Sequence, residues 1–173
     1  GVQTCALPIS EIAARLGTEV AGLLASTIAS LCEGQIREMQ HAFDVDRSRD
    51  AYLTSISGKT AALLATSARV GAIVAGHPRQ LVEAVTDFGY HYGMAFQVID
   101  DVINLQGFGK SLKTKAEDLI EGKVTAPVIR CLMLCKDQPE KQAWLWNQYQ
   151  VDQAQRDIGG MVTMIEDSGA FDK

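Results

Sequence analysis

Proline is scarce, with 4 in 173 residues, which rules out a Pro-rich linker protein or a collagen-like chain. Cysteine is equally scarce. Cys5, Cys32, Cys131 and Cys135 are too few and too scattered for a disulfide scaffold, and no C-x-x-C pair argues for a zinc knuckle. Free thiols of a reducing cytosol are the simplest reading. No apolar run approaches the roughly 18 residues of a membrane span. Basic charge is in deficit, 16 Lys+Arg against 21 Asp+Glu, for a net charge of −5. An electrostatic nucleic-acid binder needs a basic face, so that class is disfavoured. The histidines His41, His77 and His91 are not spaced as metal ligands. Strict apolar alternation and Asn-Gly or Asp-Gly hairpin signals are missing too. What remains is 47% hydrophobic and 21% charged residues, the composition of a globular domain and not of a disordered chain.

Gly1 to Ile9 reads GVQTCALPI. It has no charge, no helical period and no basic region ahead of an apolar one, so it is not a secretory signal. The string resembles the in-frame translation of a sequencing-library adapter. Residues 1–9 are therefore expected to be foreign, and residues 10–173 to be the C-terminal part of a larger domain.

From Ser10 the pattern is helical. Ser10 is placed to cap, and Ile12, Leu16, Val20, Leu23, Leu24, Thr27, Ile28 and Leu31 recur at spacings of three and four, which predicts one amphipathic helix to about Phe43. A polar break, Asp44 to Asp50, precedes an Ala-rich helix from Ala51 to about Ala75. Gly76-His77-Pro78 ends it, because Pro cannot continue a helix. A long helix is expected from Pro78 to about Leu105, then a loop from Gln106 to Lys115. Further helices are expected at Val124–Cys135, Lys141–Gln150 and Val151–Asp167. The fold class is all-α, with Ala and Gly at many positions suited to close packing around a cavity.

The densest chemical signal is Phe96-Gln97-Val98-Ile99-Asp100-Asp101-Val102-Ile103-Asn104. Adjacent carboxylates in an apolar helix repel unless a cation sits between them. Helical spacing puts Gln97, Asp101 and Asn104 on one face with Asp100 beside them. Oxygen ligands of this kind suit Mg²⁺, which usually takes one or two carboxylates, waters and substrate phosphates. Lys59, Lys113 and Lys123 stand near helix ends, where lysine serves as a point-charge phosphate binder. Singly each is an ordinary surface lysine; with the acidic pair they point to a metal–diphosphate site. Cys131 and Cys135, four apart on an apolar helix, read as core packing rather than redox chemistry.

The order Glu33-Gly34-Gln35, Gly58-Lys59-Thr60-Ala61, Phe96-Gln97-x-x-Asp100-Asp101, Asp118-Leu119-x-Glu121-Gly122-Lys123-x-Thr125-x-Pro127 closely resembles the trans-type isoprenyl diphosphate synthases, or polyprenyl synthetases. The resemblance covers nearly all of Ser10 to Lys173. It implies an isoprenoid-synthase helical bundle around a central apolar cavity, in which an allylic diphosphate ionises with Mg²⁺ (or Mn²⁺) and isopentenyl diphosphate attacks the carbocation. Under it Asp100 and Asp101 are metal ligands of the second aspartate-rich motif. Gln97 lies near the reacting end of the allylic substrate. Lys59 grips its diphosphate and Thr60 lies near the reacting carbons. Lys113 and Lys123 are further diphosphate lysines. Gln35 belongs to the Glu-Gly-Gln element, with a helix-packing hydrogen bond as its other reading. A cytoplasmic homodimer of an isoprenoid-biosynthesis enzyme is the implied setting.

Two departures qualify the resemblance. The common motif is Asp-Asp-x-x-Asp, whereas this one ends in Asn104, which offers a carbonyl oxygen or holds a metal-bound water but brings no charge. The family's first aspartate-rich motif is absent from the sequence, so these residues alone are expected to be inactive. A non-catalytic partner subunit of a heteromeric prenyl synthase is the alternative. Such subunits tend to lose the aspartates and lysines that this chain keeps.

Overall fold

The structure is a computed structural model that describes residues 2–107 and 116–172, and every regular element among them is helical. In chain order these are α1 (Val2–Arg15), α2 (Thr18–Gln40), α3 (Arg49–Ile56), a π-helical segment (Ser57–Ala61), α4 (Ala62–Val74), α5 (Arg79–Gln106), α6 (Glu117–Ile120), α7 (Ala126–Leu134), α8 (Pro139–Gln150), a 3₁₀ turn (Gln153–Gln155) and α9 (Ile158–Asp167). Contacts divide the chain into two compact units, residues 1–36 with 54–95 and residues 37–53 with 96–173.

The all-α class and the two proline-led helices are as the sequence predicts: α5 begins just after Pro78, and α7 carries Pro127 in its first turn. Three boundaries differ. Helix begins at Val2 and carries Pro8 inside it, where the missing N–H and the ring interrupt one turn of hydrogen bonding. The single helix expected from Ser10 to Phe43 is broken at Gly17, whose φ of +111° leaves the helical region. The helix expected over Val151–Asp167 starts only at Ile158, where the Asp157 Oδ1 accepts from the Gly160 N–H at 2.8 Å and caps it. The polar run before it, rich in Gln, stays outside.

The first unit packs through small residues. Along α2 the buried positions are Val20, Thr27 and Gly34, a seven-residue spacing that keeps one narrow face inward. Ile12, Leu16 and Ile28, part of the stripe read as the inner face, are 57%, 45% and 44% exposed. The Thr27 and Thr66 hydroxyls meet at 2.6 Å. A Cβ on Gly34 would stand 2.7 Å from the Lys59 nitrogen, and one on Gly93 would stand 2.6 Å from the Ala61 Cα. The backbones therefore meet where no larger residue fits.

The second unit has a conventional apolar core. Leu105, Leu119, Val124, Val128, Cys131, Leu145, Met161 and Ile165 are all essentially inaccessible. Burial pushes the Cys131 thiol up to about 11, which suits packing and disfavours thiolate chemistry.

Candidate functional site

Asp101 is the centre of the second unit's chemistry. It sits near the end of α5, is 4% exposed, and has a partner on each oxygen. Gln97, one turn earlier, donates from Nε2 to Oδ1 at 2.9 Å, the i,i+4 pairing its spacing predicts. Tyr52 of α3 donates its hydroxyl to Oδ2 at 2.6 Å. Burial pushes the Asp101 carboxyl up to about 6; the two hydrogen bonds pull it down, and the negative charges of Asp118 and Asp100 push it up again. Tyr52 is itself raised above the ordinary tyrosine range, by burial first and then by the Asp101 charge. The adjacent carboxylates part company: Asp101 faces inward and Asp100 is exposed, as a rotation of about 100° per residue demands.

Asp118, in the first turn of α6, brings a further carboxylate. Burial raises it, and this outweighs the Lys123 ammonium, whose Nζ donates to Oδ1 at 3.1 Å. The Lys123 Nζ also reaches the Glu121 Oε2 at 2.7 Å. Burial pulls Lys123 down, but its hydrogen bonds to Glu121 and Asp118 more than offset that and hold it charged. The spacing of the Glu-Gly-Lys element thus folds its lysine back onto two acids. Gly122 has a φ of +76°, and a Cβ there would collide with the Phe43 ring, so only glycine fits this turn.

Sequence pattern alone misses the residues that hold this arrangement. Arg47 is 5% exposed; its guanidinium lies 5.5 Å over the Tyr52 ring and donates from Nη1 to the Val124 carbonyl at 2.9 Å. Arg156 is 8% exposed and donates to the carbonyls of Gln148, Leu119, Ile120 and Val151 at 2.8 to 3.4 Å. It also stands 5.3 Å over the Phe43 ring. Arg47 lies in the polar run Asp44–Asp50, which reads as a break, and Arg156 in the stretch Val151–Asp167, which reads as a helix. Only their burial gives them away.

Lys59 and Thr60 lie in the first unit, on the π-helical segment. A widened turn of this kind often marks a functional position. Gly34, not Gln35, makes the contact in the Glu-Gly-Gln element: Gln35 is exposed, while Gly34 faces the Lys59 nitrogen and the Ser55 carbonyl. Gly34→Ala drives a methyl into backbone that cannot swing away. It is expected to cost about 1–3 kcal/mol, read as a lowered unfolding midpoint. Unchanged stability would show that the helices separate freely. Lys113 lies outside the described residues.

Among the described residues no group of three or more His, Cys, Asp or Glu is placed to hold a metal by itself. Asp100 and Asp101 could supply carboxylate oxygens to a hard divalent cation such as Mg²⁺, with waters and substrate oxygens completing its shell. The acids raised by burial and mutual repulsion have the electrostatics a divalent cation would relieve.

An all-α chain with a buried aspartate near the end of one helix, and a lysine held by Asp118 and Glu121 after the next, is the class these features define. Residues 4–164 match the family model described as polyprenyl synthetase. The chain belongs to the polyprenyl synthetase family. It is 40% identical to a geranylgeranyl diphosphate synthase of Sulfolobus acidocaldarius over 66% of its length and 35% of the relative's. It is 38% identical to a heptaprenyl diphosphate synthase component 2 of Geobacillus stearothermophilus, over 64% of this chain and 35% of that one. A Caulobacter crescentus polyprenyl synthase, solved with calcium and isoprenyl diphosphate, superposes with a TM-score of 0.77 at 30% identity, covering 87% of this chain and 46% of that structure. The chain thus matches about a third of the length of these curated relatives.

Proposed function

We propose that the protein is a prenyltransferase that condenses an allylic diphosphate with isopentenyl diphosphate, and that Asp100, Asp101, Lys59 and Lys123 handle the departing diphosphate. The observation that carries this reading is the buried Asp101, held by Gln97 and Tyr52 and raised to about 6 with Asp100 and Asp118 nearby. Bound Mg²⁺ would neutralise the charge that grows on the diphosphate as the allylic C–O bond breaks. Mn²⁺ fits the same hard oxygen donors. Lys59 and Lys123 add positive charge whose attraction for the leaving group grows as negative charge develops on it, and Lys113 is assigned the same task. Thr60 and Gln97 are assigned to the reacting end of the allylic chain, where a dipole stabilises carbocation character and an apolar surround keeps water out.

Calorimetry on the complete enzyme tests this reading. An allylic diphosphate should bind in Mg²⁺ and lose most of its affinity in EDTA; equal binding in both would overturn the metal assignment. Lys59→Ala is expected to raise the KM for the allylic substrate by about tenfold or more, the worth of a charge-assisted hydrogen bond, and an unchanged KM removes Lys59 from the site.

The aspartates and lysines present favour a catalytic chain over a non-catalytic subunit of a heteromeric synthase. We read the protein as a cytoplasmic homodimer. Cys32, Cys131 and Cys135 are free, as suits a reducing compartment, and light scattering checks the oligomer.

A further inference from the structure

The third position of the aspartate-rich motif is Asn104, and it is spoken for. Its Oδ1 accepts from the Asp118 backbone N–H at 3.2 Å. Its own carbonyl accepts from the Ala116 N–H at 2.9 Å. Ala116 is 1% exposed and holds a φ of +60°, a left-handed conformation that an alanine keeps only when its surroundings impose it. The two bonds from Asn104 therefore fix the start of α6 at Ala116 and Asp118 from the outside. The turn after α6 depends on that start. The Asp118 carbonyl accepts from the Lys123 N–H at 2.8 Å, and its carboxylate takes the Lys123 ammonium.

We propose that Asn104 is a positioning residue: a neutral clip that sets Asp118, and through it Lys123, without adding another carboxylate to the cluster. An aspartate could accept the same N–H. It would do so with a full charge beside Asp118, Asp101 and Asp100, two of which burial already raises. The amide oxygen keeps the hydrogen bond and drops the repulsion, so the start of α6 is set without a cation. The proposal deepens the diphosphate-site reading and rests on it for the role of Lys123.

Both decisive measurements use the metal-free chain, so they do not depend on whether it binds metal or diphosphate; those bindings test the reading itself. In amide hydrogen exchange by NMR, Asn104→Ala should speed exchange of the Asp118 N–H about tenfold, the worth of one hydrogen bond. Ala116, bonded to the backbone, should change less, and core amides such as Met161 report that the fold is intact. Asn104→Asp keeps the acceptor, so Asp118 protection should stay while the unfolding midpoint in EDTA drops by a few degrees. Unchanged Asp118 exchange in Asn104→Ala overturns the clip. An Asn104→Asp midpoint equal to that of the unaltered chain overturns the argument for neutrality. If Asn104→Ala does not fold, Asn104→Asp still decides, because loss of Asp118 protection there means the acceptor was not what held the amide.

Discussion

Arg156→Met should destabilise the protein by roughly 3–5 kcal/mol, because it removes a buried guanidinium that donates to four backbone carbonyls. Arg156 serves the ends of two helices at once. Leu119 and Ile120 close α6, while Gln148 and Val151 lie at the end of α8. Carbonyls at helix ends lack the full set of partners found inside a helix and carry the negative end of its dipole, although that of Leu119 also accepts from the Gly122 N–H at 3.2 Å. A guanidinium answers both needs: its donors point in fixed directions, and its charge is matched by carbonyl dipoles. Methionine fills the volume and offers no donor. Arg156→Lys is expected to recover less than half of the loss, since one ammonium cannot reach carbonyls on two helices. Chemical denaturation of the three proteins is the measurement. A lysine variant as stable as the parent would mean that charge alone, not the fork of donors, holds the turn.

Asp100→Ala in the complete enzyme should lose most turnover, on the order of a hundredfold or more, with little change in stability. The contrast between neighbours is the reason to choose it. Asp101 is buried and bound to Tyr52 and Gln97, so truncating it damages packing and chemistry together. Asp100 is exposed and can be cut back without opening a cavity. Asp101→Asn makes a useful companion, because it keeps the shape and removes the charge. Steady-state rates at saturating Mg²⁺ separate the two effects. Near-normal turnover for Asp100→Ala would remove it from the metal shell.

Much of the fold could be read from the residues. Pro78 and Pro127 mark the starts of α5 and α7 because proline's fixed φ and missing N–H suit a first turn. The pairing of Gln97 with Asp101 comes from helical spacing alone. The inner face of α2 was legible only in part. The apolar stripe takes in Val20 and Thr27, which are buried, but also Ile28, which is 44% exposed, and it passes over Gly34, where a close backbone approach excludes bulk. Hydrophobicity reports what prefers to leave water, not how closely two helices approach.

The helical character of the chain, the paired aspartates in an apolar helix and the order of the motifs follow from the residues alone. Local spacing and propensity suffice for these, since each depends on residues a few positions apart. Folding sets which carboxylate is buried, that Tyr52, under the Arg47 guanidinium, holds it, that Asn104 ties down α6, and that Arg156 closes two helices. Those contacts join residues from 14 to 77 positions apart. At that range a polar residue's fate is set by whether the fold gives it a partner, and no local pattern carries that information.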